Sequence, residues 1–221
     1  MNGDRVPSGD PLREAADTMR AVRDRCVWTQ QIDHRALVPY LIEESAELID
    51  AVEEDDRAEL REELGDLLWQ VLFHAEIASR DQDDPFDIDD VARGLTDKMV
   101  RRHPHVFGDA VANTPEEVLV HWNAAKAAEK SSRTSVLDGV SGRMPSLALA
   151  QKLVGKAAQV GVEIESPVEP AAGLRSEAEL GDALLALVAS ARSNGWDAER
   201  ALRERLRVLT EEVRAAEADP A

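Results

Sequence analysis

One cysteine, one tyrosine and an aromatic share of only 4% set the first limits on this chain of 221 residues. A lone Cys26 cannot form an intrachain disulfide, which fits a reduced, cytoplasmic setting. Basic residues are also short: 26 Lys and Arg stand against 44 Asp and Glu, for a formal charge of −18. That balance argues against a DNA- or RNA-binding surface, which needs a basic stripe. No run approaches the roughly 18 apolar residues that span a bilayer, and the opening MNGDRVPSGDP lacks the apolar core of a signal peptide. There is no GxxxxGK[ST] phosphate loop, no Cys/His zinc pattern and no nucleophile elbow.

What is present is helical periodicity. Hydrophobic residues make up 43% of the chain, enough for a core, and β-branched runs are scarce. The pattern predicts an all-α protein with helices near 11–25, 36–53, 57–80, 88–102, 115–130, 145–160, 177–192 and 197–215. Thr114-Pro115-Glu116-Glu117 carries an N-cap, a proline at the first helical position and a capping-box glutamate. Asp87 or Asp89 can cap the helix after Pro85, and Gly161 and Gly195 stand where helices should stop. Both chain ends, 1–9 and about 215–221, read as frayed. Segment 131–143 reads as a linker between a front domain, 10–130, and a back domain, 144–221. The stretch around Pro167, Pro170 and Gly173 is too broken for one helix.

Acidic residues are where the chemistry concentrates. Glu44 and Glu47 precede a turn at Glu54-Asp55-Asp56, and Glu63 and Asp66 follow it. Glu47 and Glu63 each lie eight residues from Asp55, and Glu44 and Asp66 each lie eleven from it. In an antiparallel helical hairpin, equal distance from the turn is equal height. At about 1.5 Å per residue the inner pair sits roughly 12 Å from the turn. Within each helix the acids are i, i+3 and share a face. Four converging carboxylates repel unless a cation lies among them, and oxygen donors select a hard ion, Mg²⁺ or Mn²⁺. The competing reading is a solvated acidic face. Leu60, Leu64, Leu67, Leu68, Val71 and Leu72 are expected to form the buried stripe of the second helix, with Glu63 and Asp66 flanking it. Gly65 between them costs helix stability, which suggests close approach of another backbone or ligand.

The hexapeptide Glu63-Leu64-Gly65-Asp66-Leu67-Leu68 is echoed at Glu179-Leu180-Gly181-Asp182-Ala183-Leu184. Six residues of common types can coincide by chance, but the matching downstream layout favours a duplicated unit.

These motifs resemble the all-α nucleoside triphosphate pyrophosphohydrolases, and the MazG branch most closely. Glu43-Glu44-Ser45-Ala46-Glu47 with Glu63-Leu64-Gly65-Asp66 is similar to the family's EExxE…ExxD pattern. The run from Leu60 to Ala78, the tract Lys98 to Phe107 (KMVRRHPHVF), the helix around His121-Trp122-Asn123, Lys126 and Glu129, and Pro145 to Gly161 resemble MazG segments in the same order. The resemblance covers about 10–215.

It implies a helical bundle that binds Mg²⁺ (or Mn²⁺) through Glu44, Glu47, Glu63 and Asp66, with Glu43 joining or supporting them. Lys98, Arg101 and Arg102 would contact phosphates. The implied reaction splits a nucleoside triphosphate between its α and β phosphates, giving monophosphate and pyrophosphate, as nucleotide-pool house-cleaning in a homodimer. His103 and His105, around Pro104, are expected to structure a rigid extended turn. The family's CPWDxxQTHxSL loop is altered here to Cys26-Val27-Trp28-Thr29-Gln30-Gln31-Ile32-Asp33-His34-Arg35-Ala36-Leu37. Trp28 is either a base-stacking residue or a buried packing residue. In the back domain no EExxE helix precedes Glu179, and Ser176-x-x-Glu179 reads as a helix-start box, so that half is expected to be inactive. Two rivals stand beside this reading. One is a narrower hydrolase for dUTP, dCTP or damaged nucleotides; the other is a regulatory protein that keeps the fold without turnover.

Overall fold

The computed structural model describes residues 9–129, 135–162, 164 and 174–218, with side chains as far as residue 210. Among them every regular element is helical. The chain divides into two compact units, residues 1–129 and 130–221.

The first unit begins with α1 (Pro11–Arg25), whose Asp10 cap accepts the Leu12 N–H at 3.0 Å. A 3₁₀ turn (Thr29–Gln31) leads into α2 (Val38–Glu53). The chain then reverses at Asp55, which takes the left-handed φ of 57°. Aspartate tolerates that region better than most residues. Asp56 caps α3 (Arg57–Ala78) by accepting the Ala58 and Glu59 N–H groups at 2.8 and 3.1 Å. The hairpin turn therefore falls where the charge spacing places it.

The core lies at the end of this hairpin away from the turn. Ala16, Met19, Leu37, Leu72 and Phe73 are buried together, with Ile32, Trp69, Ile77 and Ile88 packed against them. Phe73 meets Trp69 edge-on at 5.0 Å, and the Arg23 guanidinium lies 5.7 Å over its ring. Arg23 is itself buried and donates to the Ile32 carbonyl at 3.0 Å, fixing the loop before α2.

α4 (Ile88–Arg102) starts with a reciprocal box between Asp87 and Asp90, each accepting the other's N–H at 3.0 Å. One turn of helix, α5 (Pro104–Phe107), and then α6 (Pro115–Glu129) complete the unit. Pro104 thus opens a helical turn where an extended one was expected; its missing N–H costs nothing at the first helical position. His103 Nδ1 lies 2.7 Å from the Met99 carbonyl, so this histidine closes the end of α4. Thr114 caps α6 as expected through the Glu117 N–H at 3.2 Å, but the Glu117 carboxylate accepts from Asn113 N–H at 2.6 Å.

The second unit holds α7 (Ser146–Ala158), α8 (Glu177–Ser193) and α9 (Ala198–Ala218). The helix thus continues to residue 218, beyond the expected fraying point. Gln151 on α7 binds both the Trp196 carbonyl and the Ala198 N–H at 3.2 Å, tying α7 to the α8–α9 turn. That turn uses Gly195 at φ 73°, and Gly161 at φ 75° follows α7. The expected linker residues 131–134, and the segment 166–173 with Pro167, Pro170 and Gly173, lie outside the described residues.

The expected buried stripe of α3 is corrected. Leu64 and Val71 are 53% and 46% exposed, whereas Glu63 and Gln70 are buried. α3 is apolar on nearly every side, so periodicity alone could not choose which apolar stripe turns inward. A Cβ built on Gly65 meets nothing within 4 Å, so among the described residues no backbone of this chain makes the close approach expected there, and the ligand alternative stands as it was.

Candidate metal centre

α2 and α3 position the carboxylates. Their antiparallel pairing brings one oxygen each from Glu44, Glu63 and Asp66 within 4.8 Å of one another. Glu44 is half-buried and Glu63 is 8% exposed, because the α2–α3 contact closes over them. Glu63 Oε2 is buried, with no hydrogen-bond partner among the described residues. A buried carboxylate oxygen with no donor is costly, and a cation in front of it would satisfy it.

Electrostatics tell the same story. Burial holds the Glu44 carboxyl above its ordinary value, and Asp66, Glu47, Glu63 and Glu43 raise it further in that order. Burial likewise raises Glu63, followed by the charges of Glu47 and Asp66. Glu47 is exposed and lies outside the tight trio, yet near enough to press on both neighbours. Together with Asp50, Glu54, Asp56, Glu59 and Glu63, it lines an acidic depression of about 490 Å³. Such a surface repels phosphate unless a cation intervenes. The all-oxygen donor set, the crowding of charge and the orphaned Glu63 oxygen fit a hard divalent ion.

The basic candidates lie on α4. Arg102 is 12% exposed and forks onto Glu129 of α6, with Nη2–Oε2 at 2.6 Å and Nε–Oε2 at 3.2 Å. Its guanidinium also stacks 5.0 Å from the Trp122 ring centre. Arg101 reaches Glu129 at 3.3 Å from a more exposed position. The Arg102 hydrogen bonds hold Glu129 below the usual carboxylate range. Lys98 is half-buried and makes no ion pair among the described residues. The α4–α6 clamp was not legible in the sequence beforehand. Its signal, two arginines and a distant glutamate, becomes specific only once the helices meet.

Trp28 is 46% exposed and stands edge-on to Tyr40 at 6.2 Å, so it is not the buried packing residue that was one of its two readings. In the altered loop, His34 Nδ1 lies 2.7 Å from Nδ1 of His74 on α3, with the rings stacked. His74 was likewise not singled out by its sequence position. In the second unit the echoed motif does something different. Glu179 is exposed; its carboxylate accepts the Arg175 N–H at 2.6 Å and its own N–H donates to Ser176 Oγ at 3.2 Å.

Comparison with known proteins places this geometry in context. The model of the MazG nucleotide pyrophosphohydrolase domain matches residues 32–107. The MazG nucleoside triphosphate pyrophosphohydrolase/pyrophosphatase of Thermotoga maritima is 36% identical over 227 residues, covering 95% of this chain and 87% of its own. The nucleoside triphosphate pyrophosphohydrolase of Escherichia coli K12 is 34% identical over 216 residues, covering 88% and 81%. A 26.1 kDa protein from the blaB 3′ region of Streptomyces cacaoi is 47% identical over 209 residues, covering 95% and 84%. The crystal structure of a mazG-related protein from Thermotoga maritima, 25% identical, covers 52% of this chain and 97% of its own with a TM-score of 0.46.

Proposed function

Because the chain belongs to the MazG family of nucleoside triphosphate pyrophosphohydrolases, we propose that it hydrolyses nucleoside triphosphates between the α and β phosphates, releasing monophosphate and pyrophosphate. The observation that carries this is the convergence of Glu44, Glu63 and Asp66 across the α2–α3 hairpin, with Glu63 Oε2 buried and unpaired.

Glu44, Glu63 and Asp66 would hold Mg²⁺, with Glu47 completing the set and Glu43 supporting Glu44. When bound, the ion offsets phosphate charge and acidifies water. The chain's own residues supply the rest. One cage carboxylate, Glu44 or the more exposed Glu47, accepts a proton from an attacking water. Lys98 and Arg101 face the triphosphate's remaining charge, while Arg102, held by Glu129, fixes the slope of α4 against α6. Trp28 offers an exposed ring for a base. The changed loop around it gives a physical reason for base preference to differ from that of relatives.

The second unit is a degenerate repeat without a working cage, serving packing or assembly. Its Glu179 is occupied in starting α8. The first unit works as a homodimer, supported by the exposed Ile42, Ile49 and Val52 on α2 and Leu64 and Val71 on α3. Nucleotide-pool house-cleaning in the cytoplasm is the role this reading gives the reaction.

Pyrophosphate release from a panel of nucleoside triphosphates with Mg²⁺ tests the activity, and the products identify the preferred base. Glu63→Ala and Asp66→Ala should each lower the rate by about 100-fold or more with unchanged helicity by circular dichroism. Absence of turnover on every nucleotide would sink the enzymatic reading. Wild-type rates in either variant would sink the cage.

A further inference from the structure

We propose that Gln70 is a positioning residue for the cation cage, its side-chain amide donating to a carboxylate that holds the ion. The inference rests on the cage reading above. Gln70 is 1% exposed, and among the described residues neither Nε2 nor Oε1 has a hydrogen-bond partner. Interiors rarely leave an amide in that condition without a compensating use.

Its direction around α3 points to that use. At about 100° per residue, Gln70 lies about 20° from Glu63 and about 40° from Asp66, between the two. It stands one turn beyond Asp66. Helical side chains lean toward the N-terminus, so the Gln70 amide reaches back toward the turn that carries Asp66 and Glu63. Asp66 and Gln70 are i, i+4, a spacing at which glutamine and aspartate side chains hydrogen-bond. Glu63 Oε2, the other orphan on this helix, shares the same face. An ion bound by Asp66 leaves that carboxylate a second lone-pair direction for Nε2. Donors of this kind orient metal ligands and raise affinity.

Calorimetric titration of Mn²⁺ into the full chain, without nucleotide, tests this in wild type, Gln70→Leu and Gln70→Met, alongside melting in chelator. Both variants should bind Mn²⁺ on the order of 10-fold more weakly. Both should also melt at higher temperature in chelator, because an apolar side chain replaces an unpaired amide. Affinities within about twofold of wild type would overturn the assignment while leaving the cage intact. So would weaker binding accompanied by a lower melting temperature in chelator, which would make Gln70 a packing residue. A wild type that binds no Mn²⁺ would remove the cage reading and this inference together.

Discussion

Glu44 and Glu63 are held above the ordinary carboxylate value of 4.5 by burial and by one another's neighbours. The consequence for stability has a definite sign. A raised folded value means the native state binds protons that the unfolded chain has already released. Stability from these two groups is therefore greatest at low pH and is lost as pH rises from 4.5 through their raised values. On the proposed reading, a cation held by these carboxylates would reverse that loss and compete with the same protons. The rise in melting temperature on adding Mg²⁺ or Mn²⁺ should accordingly be larger at pH 7.5 than at pH 5. Differential scanning fluorimetry at the two values checks it, and an equal rise at both would count against proton–metal competition at Glu44 and Glu63. Glu63→Gln should melt higher than wild type in chelator and respond less to metal. The acids of the proposed site were read from the sequence, but the burial of Glu63 and of the Gln70 amide was not legible. Both depend on which face of α3 meets α2.

The α2–α3 hairpin sets the heights of the acids, and Asp55 sets the hairpin. Its φ of 57° lies where β-branched side chains are strained. Asp55→Val should cost about 1–2 kcal/mol in chemical denaturation and weaken metal binding by misaligning the pairs. Unchanged stability would mean that another residue directs the turn. Comparison with α8 shows how much the element matters. The echoed hexapeptide gives Glu63 a buried place opposite α2, yet leaves Glu179 on the surface, holding the Arg175 and Ser176 region at a helix start. The echoed motif acquires different chemistry because Glu63 is buried where α3 meets α2 and Glu44, while Glu179 is exposed and engaged at the start of its own helix. Helix limits in both units were largely legible, since caps such as Asp56, Asp87 and Ser176 act within a few residues. The single turn Pro104–Phe107 was not, because one turn of helix has too few positions to display a period.

For the whole molecule, the exposed leucines and valines of the hairpin carry the main expectation. Leu64 and Val71 are seven residues apart on α3, and Ile42 and Ile49 are seven apart on α2. Stripes of this kind need cover in water. Light scattering after size exclusion should give twice the mass of the 24.2 kDa chain. Leu64→Glu should shift it toward monomer and lower activity. A monomeric wild type would overturn the dimer. No helix of the described residues is long and apolar enough to cross a membrane.

The sequence alone determined the helical class, the limits of most helices, the turn at Asp55, the spacing of the four acids about that turn and the family to which the chain belongs. Each of these is local or repeats along the chain: a cap, a period, a spacing counted from one turn. The tertiary structure decided how α3 is rotated, turning Glu63 and Gln70 inward and Leu64 and Val71 out. It also decided that Arg102 meets Glu129 and Trp122, and that His34 meets His74. A helix apolar on most of its surface has several faces of similar hydrophobicity. Only the shape and chemistry of its neighbours can choose among them.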